Sequence, residues 1–195
     1  MNTHCTFAKK AVLWGARDYD TSLTVEQNVE RSIPALIKFL AIGEELHLDG
    51  FVFELPGEEF GQDVHKFGQG VRRILRCLSD YDPAGYHCMN KSYLDKIGWA
   101  FEFNEIPIFV TTFAPCYPSN HSRFAFETKN AFVLLQPMYS FVIHDIGKDT
   151  AYTNWDNPTT VRDKIRVAYK ENGRPYYIRN VVIYPTAHDI VKPLE

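Results

Sequence analysis

The sequence predicts a single α+β domain, in which a small mixed sheet is packed by helices from both halves of the chain. Helical and strand-like segments are mixed along the 195 residues, which favours this class. The two-residue link Asn104-Glu105 separates apolar segments at 99–103 and 106–113 and predicts an antiparallel hairpin. No linker-like stretch divides the chain, so we expect one domain over residues 1–195.

The first half of the chain contains clear helix and strand patterns. Thr24 and Gln27 match a capping box at the start of the longest helical segment, which Pro34 must kink or delay. The short apolar segment after Asp49-Gly50 is typical of a buried strand. The elements predicted here are helices over 7–17, 24–45 and 60–78 and a strand over 51–55.

The second half supplies most of the predicted sheet. The continuous apolar run at 106–113 is typical of a central strand. The segment that follows it, 114–123, contains two prolines and is expected to be a loop. A proline-punctuated tail from Gly173 is expected to wrap the surface. The remaining predicted elements are strands over 99–103 and 131–135 and helices over 139–146 and 159–170.

The composition excludes several classes of protein. With 45% hydrophobic and 14% aromatic residues, the chain can offset the entropy cost of folding, so disorder is excluded. The formal net charge of −3 argues against nucleic acid as a partner. No apolar run approaches the roughly 20 residues of a membrane span, and the start of the chain lacks an export signal, so we expect a cytoplasmic protein.

Neither compact metal motifs nor nucleotide-binding loops are found in the sequence. The four cysteines contain no CxxC pair, and the seven histidines contain no HxxxH or HxH pair. Free thiols are therefore expected. Glycine-rich phosphate-binding loops are also missing.

The loop after the central strand concentrates reactive side chains. It holds a thiol, a phenol, an imidazole and a guanidinium within eight residues, and its prolines limit their freedom. Cys116 and His121 could form a nucleophile and base. His121 could instead be the single axial ligand of a haem, or Cys116 could ligate the iron as a thiolate. Arg123 could then neutralise a haem propionate. A rigid surface loop with a packed cysteine is the structural alternative.

Several segments resemble the YqcI/YcgG family. They run in order from residue 4 to about residue 176. The resemblance is carried by His4–Lys10 (HCTFAKK), Phe51–Glu54 (FVFE), Trp99–Val110 (WAFEFNEIPIFV), Ala114–Arg123 (APCYPSNHSR) and Leu135–Pro137 (LQP).

The resemblance implies a haem-dependent enzyme, because relatives in the D-cycloserine and guanitoxin pathways N-hydroxylate guanidino compounds. It implies His121 as the axial ligand of the haem iron. Glu54 and Glu102 would be carboxylates able to receive a guanidinium group in a bidentate manner, with strand-face positions as their structural alternatives. Tyr117 or Glu54 would lie on the substrate side.

We therefore expect a haem-dependent oxygenase that N-hydroxylates a guanidino or amino-acid-type small molecule. An external electron donor or a peroxide shunt is implied, because the iron must be reduced to bind dioxygen and the chain carries no flavin or nicotinamide motif. A second subunit could complete the haem pocket, as in a homodimer. The alternatives are a haem-binding or haem-sensing protein without turnover, and a cofactor-free cysteine enzyme using Cys116 and His121.

Overall fold

A mixed β-sheet forms the centre of the fold. The computed structural model describes residues 5, 8–145, 152–174 and 184–194. Within them, the strands are β1 (Leu13–Gly15), β2 (Gly50–Leu55), β3 (Phe101–Phe103), β4 (Ile106–Phe113) and β5 (Ala131–Pro137). They form one sheet in the order β1-β2-β5-β4-β3. The β1–β2 pair is parallel and the other neighbouring pairs are antiparallel, so the predicted α+β class with a mixed sheet is confirmed.

Helices pack against both faces of the sheet: Phe39 contacts Phe51 on the core face, and Phe141 contacts Phe109 on the other face. The helices in the described residues are α1 (Val25–Glu30), α2 (Ile33–Ile42), α3 (Val64–Asp80), α4 (Met138–Ile143) and α5 (Val161–Glu171). Short 3-10 turns span Cys88–Asn90 and Ala187–Asp189, and a π-type turn spans Gly57–Gly61. The alternation of a half-buried strand explains the packing of β2: Phe51, Phe53 and Leu55 are buried, and Glu54 between them is exposed.

The helix predicted over 7–17 is wrong for its described part, where Leu13–Gly15 is a strand. This segment is extended because it pairs in parallel with β2 at the edge of the sheet. Asp49 N–H, just before β2, donates to Val12 O at 2.7 Å. Ala16 N–H also donates to Val52 O at 2.8 Å. Tertiary pairing therefore overrides a weak helical pattern in a three-residue strand.

The single helix predicted over 24–45 is two helices. The capping box is confirmed: Gln27 N–H donates to Thr24 Oγ1 at 3.2 Å, and Thr24 N–H donates to Gln27 Oε1 at 2.9 Å. Pro34 lies in the first turn of α2, where its missing N–H costs nothing. It therefore marks a new helix rather than a kink.

Helix α3 begins later than predicted from the 60–78 pattern. Residues up to Gly61 form the π-type turn, and Asp63 caps the helix by accepting from Lys66 N–H at 2.8 Å. The predicted hairpin is confirmed, and Asn104 and Glu105 both take positive φ angles, of 52° and 63°. Such a two-residue turn matches the twist of the strands it joins.

The chain end is anchored in the core rather than only wrapping the surface. Ile190 is 1% exposed and belongs to the hydrophobic core. Part of the predicted surface tail falls on residues 175–183, which lie outside the described residues.

Candidate functional site

The loop 114–123 folds back on itself immediately after β4. Ala114 N–H donates to Arg123 O at 3.2 Å, and Ala114 forms an isolated bridge with Phe124. Two turns shape the interior, one from Tyr117 N–H to Ala114 O at 3.3 Å and one from His121 N–H to Pro118 O at 2.8 Å. The loop is thus a compact loop with adjoining ends, as its prolines predict.

Tyr117 and His121 lie together on the inner side of this loop. Their rings stack with centroids 4.4 Å apart and an angle of 13° between planes. Both side chains are buried, Tyr117 at 1% and His121 at 3% exposure. Burial raises the pKa of the Tyr117 phenol well above its usual value.

Both ring nitrogens of His121 are hydrogen-bonded. Nδ1 accepts from Arg123 N–H at 3.0 Å, so Nε2 carries the proton and donates to Pro193 O at 3.1 Å. Burial lowers the pKa of His121, and the charges of Arg123 and Lys192 lower it further. In this arrangement His121 presents no lone pair to an iron atom, so the geometry does not favour the role of axial ligand expected for it.

The other loop residues expected to act with His121 point elsewhere. Arg123 packs its guanidinium over the Phe113 ring, 5.8 Å from the centroid. Burial raises the pKa of the half-buried Cys116 thiol, and Asp63 raises it further. Because the nitrogens of His121 bond to other partners, His121 is not arranged as a base for Cys116.

Glu54 and Glu102 are not brought together with the loop. Glu54 is exposed and accepts a hydrogen bond from Asn130 Nδ2 at 2.6 Å. The structure thus shows the structural alternative for Glu54, a solvent-facing strand residue, because alternation turns its side chain away from the core. Glu102 is half-buried on β3; burial raises its pKa, and Asp82 raises it further.

A cavity of about 1010 Å³ lies between α3 and the chain end. We call residues 186–194 the strap, since their backbone binds the inner side of the loop. Much of the wall is apolar: Val64, Val71, Leu75, Met89, Leu94 and Val191. Imidazole and cationic side chains complete it: His65, Arg72, Arg76, His188 and Lys192. Within the described lining, acidic side chains are missing.

The two arginines of the cavity are one turn apart on α3. Arg73, between them, points away and is bound by Glu26 through two contacts of 2.7 Å. Among the described residues, neither Arg72 nor Arg76 forms an ion pair. The i,i+4 spacing that places Arg72 and Arg76 on one face was the signal that could have identified them.

Sequence comparison places the chain in a family. The sequence profile of the YqcI/YcgG family matches residues 2–170. The chain belongs to the YqcI/YcgG family. The match includes α3 and the loop 114–123, and it ends before the strap of this YqcI/YcgG protein. No curated protein and no solved structure matches the chain significantly.

Two further features bear on ligands and location. In the part of the chain that the structure describes, no group of three or more His, Cys, Asp or Glu side chains could hold a metal ion. A haem needs only one protein ligand, because the porphyrin supplies four nitrogens. None of the helices in the described ranges has the length and apolar character of a membrane-spanning segment.

Proposed function

We propose that this protein is a haem-dependent oxygenase that N-hydroxylates a small molecule of the guanidino or amino-acid type. We further propose that the haem lies in the cavity between α3 and the strap. The observation that carries this proposal is the combination of a large cavity, an apolar wall and two arginines on one helix face that form no ion pair among the described residues. A porphyrin requires apolar contact over both faces and cations for its two propionates.

The residues of the cavity fit a haem by their chemistry. Val64, Leu94 and Val191 are partly exposed and offer apolar surface to the macrocycle. Arg72 and Arg76 would bind the propionates, a role that the sequence had indicated for Arg123. Guanidinium groups suit this role because they form two parallel hydrogen bonds to a carboxylate.

The imidazoles of the cavity wall are His65 and His188. Either would supply the single protein ligand that a haem needs, and we propose them in place of His121. Bound haem would supply the oxygen chemistry, with electrons from an external donor. The protein would contribute a cationic wall, which favours a substrate with a carboxylate group. Among the two proposed substrate types, the cavity therefore favours an amino acid.

A haem-binding protein without turnover is the second candidate. The lack of acidic side chains in the described lining favours it, because a cationic guanidino substrate would find no counter-charge there. The two candidates share the cavity and differ only in catalysis.

The test is haem titration followed by an oxygen assay. We expect stoichiometric binding with a Soret band, weakened in Arg72→Gln and Arg76→Gln but unchanged in the matched control Arg73→Gln. Haem-loaded protein, supplied with a reductant, should consume dioxygen faster when arginine or another amino acid is added. A Soret band without substrate-dependent consumption would favour the non-catalytic candidate. Equal binding by all three arginine variants would contradict the proposed site.

A further inference from the structure

The strap is attached to the rest of the molecule through its backbone. Three side chains of β4 and the loop donate to strap carbonyl oxygens at 2.7–3.1 Å. In chain order, these pairs are Thr112 Oγ1 to Ile190 O, Tyr117 Oη to Lys192 O, and His121 Nε2 to Pro193 O. Since these donors are buried, each has lost water as an alternative partner, and the bonds fix the position of the strap.

The opposite side of the strap lines the cavity. Val191, Lys192 and Pro193 belong to the cavity wall, facing the apolar and cationic residues of α3. Ile190 is the strap's buried apolar anchor within the described residues. The strap is thus one wall of the cavity, opposed to the wall that the 17-residue helix α3 forms.

We infer that the strap is a lid that retains the ligand of this cavity, with Thr112 and Tyr117 as the positioning residues that keep it closed. A short segment in which Ile190 is the one fully buried apolar side chain, with Ala187 and Val191 only partly buried, can open locally at a lower free energy than global unfolding requires. When the strap opens, the cavity loses a wall, and its ligand is left on an exposed helix face. Ligand release should therefore follow the stability of the strap.

This inference rests on the proposed function only for the identity of the ligand. The hydrogen bonds from Thr112 and Tyr117 to the strap do not depend on which flat apolar anion occupies the cavity. Anilinonaphthalene sulfonate, an anionic apolar dye, can therefore serve as a second probe beside haemin.

The first measurement is hydrogen exchange at strap amides in Tyr117→Phe and Thr112→Val. Each variant removes one hydroxyl donor and keeps nearly the same side-chain volume. Loss of one hydrogen bond should raise exchange in the strap about fivefold, without changing exchange in the core strands. The matched control is Tyr86→Phe, because the Tyr86 hydroxyl bonds Tyr93 at 2.8 Å and no strap residue.

The second measurement is the dissociation rate of haemin and of the dye from the same variants. We expect dissociation to accelerate about fivefold in Tyr117→Phe and Thr112→Val, and to be unchanged in Tyr86→Phe. A dissociation rate that stays unchanged although hydrogen exchange in the strap becomes faster would contradict the lid. Hydrogen exchange in the strap that is the same in the variants as in the wild type would also contradict it. Faster release of the dye from a protein that does not bind haemin would support the lid and contradict the haem proposal.

Discussion

At the scale of single residues, hydrogen bonding determines what His121 can do. Its Nδ1 accepts a backbone N–H from Arg123, so the neutral ring carries its proton on Nε2 and donates it to the strap. A metal bound at Nε2 would require the tautomer with its proton on Nδ1. In that tautomer the Nδ1–H group would face the Arg123 backbone N–H, and their hydrogen bond would be lost. The imidazole that the sequence indicated as an iron ligand is thus arranged as a structural donor.

His121 should make stability depend on pH. Burial, with Arg123 and Lys192, holds the pKa of His121 below 6.5 in the folded protein. As the pH falls through 6.5, His121 becomes protonated in the unfolded chain but stays neutral in the folded protein. The free energy of unfolding therefore decreases. The decrease should continue down to the folded pKa and then stop. Urea unfolding between pH 7.5 and 5 would measure it.

The variant His121→Gln should lose this part of the pH dependence. Gln62→Ala, an exposed substitution that changes no titratable group, is the control and should behave like the wild type. If wild type and His121→Gln lose stability in parallel as the pH falls, the neutral buried state assigned to His121 is wrong.

The Cys116 thiol should react slowly with alkylating reagents. Because burial and Asp63 raise its pKa, the fraction of reactive thiolate at neutral pH is lower than for free cysteine. Mass-resolved alkylation with iodoacetamide at pH 7.5 should therefore modify Cys116 more slowly than glutathione. Faster modification would revive the cysteine-enzyme interpretation.

At the scale of elements, Asp49 joins the sheet to α4. Its buried carboxylate accepts from Val12 N–H at 2.8 Å and from Ser140 Oγ at 2.9 Å. His144 Nε2 lies 2.7 Å from the same carboxylate. Ser140 and His144 both contact Asp49, so the carboxylate lies between them. In a nucleophilic triad the imidazole lies between the hydroxyl and the carboxylate, so this group is a structural junction.

Asp49→Asn should therefore destabilise the fold. The substitution replaces one carboxylate oxygen, which accepts hydrogen bonds, with an NH₂ group that faces donors. We therefore expect the free energy of unfolding to fall by about 2–4 kcal/mol. Denaturant unfolding checks this, with Asp95→Asn, at an exposed position, as the control. A loss as small as that of the control would show that Asp49 does not join these elements.

At the scale of the whole molecule, sequence patterns predicted the elements better than their assembly. The apolar run of β4 and the capping box at Thr24 are local signals, and both were confirmed. The strand Leu13–Gly15 depends on pairing with β2, about 37 residues away, and local periodicity misassigned it.

The candidate site was predicted in part, for the same reason. The compact loop 114–123 was expected from its prolines, but the partner of His121 is the Pro193 carbonyl, 72 residues along the chain. The cavity likewise combines α3 with the strap. Neither segment alone indicates a cavity, because each contributes one wall and tertiary packing creates the space between them.

The most direct test of the cavity as a haem site is a haem titration, followed by absorption, of variants at Gly68. This residue lines the cavity, and a Cβ atom built on it meets nothing within 4 Å. Gly68→Trp should therefore fill the cavity without disturbing α3, and Gly68→Ala should leave the cavity open while favouring the helix. We predict wild-type haem affinity for Gly68→Ala and a loss of about tenfold or more for Gly68→Trp. Equal affinity and identical Soret bands in the two variants would contradict the account.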